Sequence, residues 1–216
     1  MIPAHEALDR LLEGNRRFVT GDRHRVPDSG HARRDEVVAG QSPFAVILGC
    51  SDSRVPVEIV FQQGLGALFV IRVAGNIVAP SQIGSVEFAA EQFKTRLVVV
   101  LGHTRCGAVQ ATVDELHRPS ESRSPNLRSI VDRIRPSVDG LLETELRHDR
   151  EALLRQAVRA NVRFSANNLR HGSEILEGLI AREGLLVVGA EYSLETGAVE
   201  VFDGAPPSGG DGAIRS

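Results

Sequence analysis

The sequence contains no tryptophan, one tyrosine and only 4% aromatic residues, so it offers few side chains on which nucleic-acid bases could stack. It also lacks an excess of charge of either sign, because the formal net charge is -3 over 216 residues. Surfaces that bind nucleic acid or an anionic membrane show a basic patch, which these interspersed charges do not provide. We therefore expect a small-molecule substrate, with neither nucleic acid nor membrane as partner.

The apolar runs of the sequence are short, and none approaches the roughly 20 residues that span a membrane. The first six residues have neither the basic start nor the apolar stretch of a signal peptide, so we expect a cytoplasmic protein. No shift in composition demands a second domain, and the sequence predicts one domain over residues 1–216. Within it we expect a helical arm (1–40), a catalytic core (41–203) and a disordered tail rich in Pro, Gly and Ser (204–216).

Cysteine is scarce, and its two positions are informative. Cys50 follows the apolar run 44–49, and Cys106 lies shortly after the apolar run 97–102; both runs are typical of buried strands. Open α/β sheets place their functional groups at the carboxyl ends of such strands. A metal-binding or catalytic role in a reducing compartment is therefore favoured over a structural disulfide.

The residues around the two thiols suggest a zinc site. His103 lies three residues before Cys106, at the start of a predicted helix, which would place both side chains on one side of a turn. The Cys50 thiolate from the neighbouring strand end completes three ligands suited to zinc. The nearest carboxylate, Asp52, lies two residues before Arg54, a natural ion-pair partner. The fourth coordination position is then open to water, or to Asp52 in a closed state.

The order of predicted elements indicates the fold class. Strands are predicted at residues 44–49, 67–73, 97–102 and 185–190, with an antiparallel edge strand at 198–202. Helices are predicted at residues 4–20, 31–40, 55–63, 81–95, 105–117 and 173–182, with a helical run over 130–171 interrupted at Pro136 and Gly140, and an exposed loop over 118–129. This alternation is typical of an α/β fold with a mostly parallel central sheet flanked by helices. The N-terminal arm packs either on its own domain or on a partner subunit, and the sequence leaves both open.

Two motifs extend these inferences. Cys-Ser-Asp-Ser-Arg at residues 50–54 and Gly-His-Thr-Arg-Cys-Gly at residues 102–107 resemble the motifs of the β-class carbonic anhydrases, and the similarity covers roughly residues 4–203. The resemblance implies reversible hydration of carbon dioxide to bicarbonate and a proton, by attack of zinc-bound hydroxide. It also implies Cys50, His103 and Cys106 as zinc ligands, and Asp52 paired with Arg54. Finally, it implies dimers built partly by exchanged N-terminal helices, which often pair further into tetramers.

The resemblance extends less closely to the substrate pocket, where four positions match the family pattern: Gln41, Phe69, Phe88 and Gly107. In the family, the glutamine at the position of Gln41 reaches the site from a neighbouring subunit. Phe88 stands where many members have a tyrosine, so a hydroxyl is missing. Ile47 replaces the tryptophan of members that bind a regulatory bicarbonate, and although Arg72 matches an arginine of that regulatory site, we do not expect bicarbonate inhibition.

Three other interpretations remain open. Carbonyl sulfide or carbon disulfide hydrolysis would use the same zinc site, and the sequence does not separate these substrates from carbon dioxide. A non-catalytic structural zinc protein would have Asp52 closing the coordination shell. A Cys-His nucleophile oriented by aspartate would leave the second cysteine without a role. The spacing of Asp52 and Arg54 favours the catalytic zinc site.

Overall fold

The computed structural model describes residues 2–22, 30–118 and 124–205. Five strands form its sheet: β1 (Ala45–Gly49), β2 (Leu68–Arg72), β3 (Leu97–His103), β4 (Leu186–Tyr192) and β5 (Val199–Asp203). Their order is β2-β1-β3-β4-β5; the first four are parallel, and β5 pairs antiparallel with β4. This architecture confirms the predicted fold of four parallel strands plus an antiparallel edge strand.

Helices cover both faces of the sheet. They are α1 (Ala4–Thr20), α2 (His31–Val38), α3 (Val57–Val60), α4 (Pro80–Gln92), α5 (Gly107–His117), α6 (Pro125–Val138), α7 (Arg150–His171) and α8 (Glu174–Glu183). Short 3-10 turns occur at Ala74–Asn76, Asp139–Glu143 and Glu145–His148. In the part of the chain that the structure describes, no helix combines the length and the apolarity that crossing a membrane requires.

The alternation of side chains along β1 explains why its sequence is apolar throughout. Ala45 and Ile47 contact the layer that contains α1 and α3, whereas Val46 and Leu48 contact the layer that contains α4, α7 and α8. Because successive side chains of a strand point to opposite faces, a parallel strand covered on both sides has no position left for a polar residue. The inner strands β1 and β3 are thereby buried along their whole length, and polar groups can follow them only at their ends.

The N-terminal arm packs on its own chain. Asn15 in α1 is 4% exposed, and its Nδ2 donates to the carbonyl oxygens of Val60 at 3.2 Å and Gly197 at 2.9 Å. The backbone N–H of Val199 donates in turn to Asn15 Oδ1 at 2.8 Å. Of the two placements that the sequence left open for the arm, the structure shows the one on its own domain.

The prediction of a loop over residues 118–129 is wrong at its end. Helix α6 begins at Pro125, because Ser124 caps it with its Oγ accepting from the N–H of Leu127 at 3.3 Å. Proline at the first helical position adds no unsatisfied donor and favours this start. Residues 119–123 of the predicted loop lie outside the described residues, as do residues 206–216 of the predicted disordered tail.

The predicted interruption at Pro136 is also wrong, whereas the one at Gly140 is confirmed. Helix α6 continues through Pro136 to Val138. Ile134 and Val138 on either side of the proline are fully buried, so their packing offsets the backbone hydrogen bond that proline removes. The chain leaves the α-helix at the 3-10 turn Asp139–Glu143, which contains Gly140.

Candidate metal centre

Two neighbouring strand ends bring three ligand-type side chains together. Cys50 follows β1 directly, His103 is the last residue of β3, and Cys106 lies three residues further on. Because β1 and β3 are adjacent and parallel, their carboxyl ends meet at one edge of the sheet. Sγ of Cys50, a ring nitrogen of His103 and Sγ of Cys106 all lie within 4.8 Å of one another. All three residues are buried. The short distances show that they lie together as expected, whereas their role as metal ligands stays a prediction.

The local structure that places His103 and Cys106 differs from the prediction. Helix α5 begins at Gly107 rather than at Arg105, because Arg105 adopts a left-handed conformation with φ of 56°. Cys106 is the residue that precedes the helix. The two side chains therefore meet across a tight turn between strand and helix, and not on one turn of a helix.

The donor set fits zinc. His103 is fully buried, and none of the residues that the structure describes forms a hydrogen bond with its Nε2. Its Nδ1 lies 2.9 Å from the carbonyl oxygen of Thr104, which assigns the ring proton to Nδ1 and leaves the lone pair of Nε2 available. A buried ring nitrogen without a partner is costly unless it serves another purpose. Two thiols and this nitrogen lie close enough to bind one metal ion together. They are the soft and borderline ligands that zinc prefers.

Electrostatic coupling already favours a thiolate in the cluster. The hydrogen bond from Cys106 lowers the pKa of Cys50 to about 4, against the opposing effect of burial. The same hydrogen bond, together with burial, raises the pKa of Cys106. Burial opposes the charged form of His103, but the neighbouring Cys50 thiolate outweighs burial and raises the pKa of His103. These opposite shifts favour one thiolate and one thiol in the pair, and binding of a metal ion would displace the proton of the thiol.

The backbone on either side of Cys50 is held by Arg72 at the end of β2. Its Nε donates to the carbonyl oxygen of Cys50 at 3.0 Å, and its Nη2 donates to that of Asp52 at 2.6 Å. The thiol sulfur itself accepts the backbone N–H of Gly75 at 3.3 Å. The loop that carries the first cysteine is therefore fixed from the neighbouring strand.

Asp52 and Arg54 form the predicted ion pair. Arg54 Nε donates to Asp52 Oδ1 at 2.9 Å, and Nη2 donates to Oδ2 at 2.7 Å. This bidentate contact holds the pKa of Asp52 well below its ordinary value. Asp52 Oδ2 lies 3.8 Å from Nε2 of His103, so the carboxylate is at the edge of the cluster and turned towards Arg54.

The predicted pocket residues are distributed differently. Gly107 adjoins Cys106, but exposed Gln41 precedes β1 whereas Cys50 follows it, and a five-residue strand spans about 15 Å. Phe88, in α4, packs against Phe69 of β2 with ring centroids 6.1 Å apart. Phe69 belongs to the cluster on the α4 side of the sheet. The thiols belong to a different cluster, formed with α5, α6 and α7. Within one chain the structure does not gather Gln41, Phe69 and Phe88 around the thiols, and their pocket roles stay predictions.

The contacts of Arg72, Gly75 and Asn161 around the ligand loop were not predicted from the sequence. The Nδ2 of Asn161 in α7 donates to the carbonyl oxygen of Gly75 at 2.7 Å. A signal for it exists in the helical periodicity, since Asn161 lies four residues after Ala157 and four before Ser165, and all three are buried. A large polar side chain on a buried helix stripe marks a position with a specific partner.

Comparison with known proteins identifies relatives across most of the chain. The family profile described as "Carbonic anhydrase" matches residues 45–199. Carbonic anhydrase 2 of Mycobacterium tuberculosis is 38% identical over 207 residues, which cover 91% of this chain and 92% of that protein. The carbonic anhydrase of Mycolicibacterium smegmatis is 39% identical over 203 residues, covering 90% and 91%. The crystal structure of the β-carbonic anhydrase CafA of Aspergillus fumigatus is similar, with a TM-score of 0.71 at 26% identity, covering 81% of this chain and 82% of that one.

Proposed function

The chain belongs to the carbonic anhydrase family, in its β class, and we propose that it catalyses the reversible hydration of carbon dioxide at a zinc ion held by Cys50, His103 and Cys106. The observation that supports this most directly is the position of Asp52. Three ligand atoms converge, while the Asp52 carboxylate, whose Oδ2 lies 3.8 Å from Nε2 of His103, is engaged by Arg54. A fourth coordination position is thereby left to water and substrate, as a catalytic zinc site requires.

The residues around the cluster have separate tasks in this proposal. A bound zinc ion would supply a Lewis-acidic position at which water loses a proton near neutral pH. Two thiolates offset the charge of that ion, so a further group has to assist. Asp52, ionised and oriented by Arg54, accepts a hydrogen bond at Oδ2 from the attacking water and directs its lone pairs towards the carbon of the substrate. Arg72 keeps the Cys50–Asp52 backbone in the position that this geometry needs.

The same arrangement argues against a purely structural zinc site. Closing the shell would require Asp52 to leave Arg54 and give up two charge-assisted hydrogen bonds at 2.9 and 2.7 Å. Hydrolysis of carbonyl sulfide or carbon disulfide would use the same groups, and no contact in the described chain favours it. We therefore assign carbon dioxide and bicarbonate as the substrate pair, and treat hydrogen sulfide release as an outcome to be measured.

Metal analysis combined with stopped-flow hydration tests the proposal. We expect about one zinc per chain, and Cys106→Ser and His103→Ala should each lose most of the metal and the activity. His171→Ala is the matched control, because His171 is exposed at the end of α7 and should keep both. Full zinc content and full hydration in Cys106→Ser would refute the ligand assignment. Hydrogen sulfide release from carbonyl sulfide without carbon dioxide hydration would refute the substrate.

We further propose that the active form is a homodimer or homotetramer. Gln41 lies at the opposite end of β1 from Cys50, so it reaches a substrate pocket only across a subunit boundary. Phe88 is 50% exposed beside Phe69 and Phe93, which suits a buried interface. Phe88→Glu should dissociate the oligomer and lower activity, whereas Leu127→Glu, at an equally exposed leucine, should not. A fully active monomer by light scattering at micromolar concentration would contradict this.

The proposal includes a cytoplasmic location. Both cysteines are free thiols, and free thiols of a metal site persist in a reducing compartment. Fractionation of the source cells, with detection of the protein outside the cytoplasmic fraction as the contrary result, tests this part.

A further inference from the structure

Gly75 stands between the metal centre and the helix layer behind it. It lies in the 3-10 turn after β2, with a φ of 70°. A Cβ at this position would lie 2.7 Å from Cδ1 of Ile134 and 3.2 Å from Cβ of Ala108, so only glycine fits here without a shift of these neighbours. Its backbone N–H donates to the sulfur of Cys50 at 3.3 Å. Glycine has a wide conformational range, so the direction of this N–H depends on what else holds the residue.

Asn161 holds the other side of Gly75. Its Nδ2 donates to the Gly75 carbonyl oxygen at 2.7 Å, across 86 residues of sequence, from the buried stripe of α7. The side chain is 1% exposed, so water does not compete for this bond. The N–H of Gly75 is thus bound to the thiol and its C=O to Asn161, and both dihedral angles of a flexible residue are fixed.

Stability alone is a poor explanation for an asparagine at this position. Its buried Oδ1 accepts no hydrogen bond from any described residue, and an unsatisfied buried acceptor costs free energy. A leucine has nearly the same shape and would add apolar contact to a stripe that is otherwise built from small and apolar side chains. What leucine cannot supply is the donor to Gly75.

We propose that Asn161 is a positioning residue of the metal centre. By holding the Gly75 carbonyl group it keeps the Gly75 N–H on the Cys50 sulfur, and so it sets how much charge that thiolate gives to a bound metal. Hydrogen bonds donated to a ligating sulfur withdraw charge from the metal and leave it more electrophilic. This inference rests on the proposed function in one respect, that Cys50 is a metal ligand.

Cadmium and cobalt substitution make the contact visible without any measurement of activity. In the full chain loaded with ¹¹³Cd, the Gly75 amide proton should show scalar coupling to the metal through the N–H···S hydrogen bond. Asn161→Leu should lose that coupling, and its thiolate-to-cobalt charge-transfer band should move to lower energy. Its metal affinity should fall about tenfold, as is common when a group that orients a ligand is removed. Asn167→Leu, an exposed asparagine on the same helix, is the matched control and should change none of these.

Two results would overturn the inference. One is a wild-type protein without the Gly75 coupling. The other is an Asn161→Leu protein that keeps both coupling and cobalt spectrum, even if it melts at a lower temperature, since that is what a merely structural role predicts. If Asn161→Leu does not fold, Asn161→Ser, too short to reach Gly75, replaces it under the same criteria. Wild-type protein that shows the coupling but does not hydrate carbon dioxide would refute the proposed function and support the inference.

Discussion

Replacing Asp52 with asparagine keeps the shape of the side chain and removes its charge. The carboxylate accepts three hydrogen bonds from Arg54: from the backbone N–H at 3.0 Å, from Nε at 2.9 Å and from Nη2 at 2.7 Å. The amide oxygen of asparagine can keep the first two, but its NH₂ group then faces Nη2, donor against donor. We expect the guanidinium to turn into solvent in Asp52→Asn, because 53% of the Arg54 side chain is already exposed.

The effects on stability and on activity should differ widely. A pair with one partner this exposed contributes about 0–1 kcal/mol to the free energy of unfolding. The hydration rate should fall about 10- to 100-fold, since the lost group orients what reacts at the metal. That range corresponds to about 1.4–2.7 kcal/mol in the activation free energy. Zinc content should stay at the wild-type level, because Cys50, His103 and Cys106 are untouched.

The assay is stopped-flow hydration with zinc content and thermal unfolding measured on the same samples. If Arg54 acts only by orienting Asp52, the double variant Asp52→Asn/Arg54→Gln should lose no more activity than Asp52→Asn alone. Near wild-type rates in Asp52→Asn at full zinc content would remove Asp52 from the mechanism. Activity losses that add in the double variant would assign Arg54 a task of its own.

The same pair gives a defined pH dependence. Arg54 lowers the pKa of Asp52 in the folded state, so the unfolded chain takes up the proton first as the pH falls. The stabilisation is complete above the ordinary aspartate pKa of about 3.9 and is lost as the pH falls from there towards the lower folded value. The difference in free energy of unfolding between wild type and Asp52→Asn should therefore be constant from about pH 7 to 5. Urea titrations that show it shrinking within that window would contradict the assignment.

Two further predictions concern Asn15 in the N-terminal arm and Glu191 in β4. Asn15→Ala should lower the free energy of unfolding by about 3 kcal/mol, because it removes three hydrogen bonds of about 1 kcal/mol each between α1 and the core. A loss below about 1 kcal/mol in urea unfolding would show that these hydrogen bonds do not anchor the arm. Burial raises the pKa of Glu191, so its ionised form destabilises the fold, and Glu191→Gln should melt at a higher temperature than wild type at pH 7. That gain should fade as the pH falls through the raised pKa towards the ordinary value of about 4.3, and equal melting temperatures at pH 7 would refute it.

The sheet and the ligand cluster were predictable because they depend on short-range patterns. The apolar runs before Cys50 and His103 have the length and composition of strands buried on both faces, and parallel strands bring their ends together whatever the rest of the chain does. The start of α6 also has a local signal, since Ser124 is a favoured N-cap and Pro125 a favoured first helical residue. It was missed because the surrounding Ser, Arg and Pro residues are typical of a loop.

Other features depend on packing that the local sequence does not encode. Pro136 is compatible with α6 only because its neighbours are fully buried, which is a property of the tertiary structure. The left-handed conformation of Arg105 shifts the start of α5, and no residue preference predicts it for arginine. Arg72 and Asn161 are separated from their hydrogen-bond partners by 22 and 86 residues of sequence. Periodicity assigns such residues to a strand or helix but does not predict which distant residue they contact.

The hydrogen bonds that Arg72 donates to the carbonyl groups of Cys50 and Asp52 have a consequence for metal exchange. They join groups of the polypeptide alone, so we expect the ligand loop to hold its shape with or without an ion. The conformational entropy of that loop is then lost on folding and not on metal binding, so more of the free energy of the metal–ligand interactions contributes to affinity. In small zinc domains the apo chain is unfolded and loading is inseparable from folding. Here a chelator should withdraw the ion from a chain that stays folded, and reloading should require no refolding step.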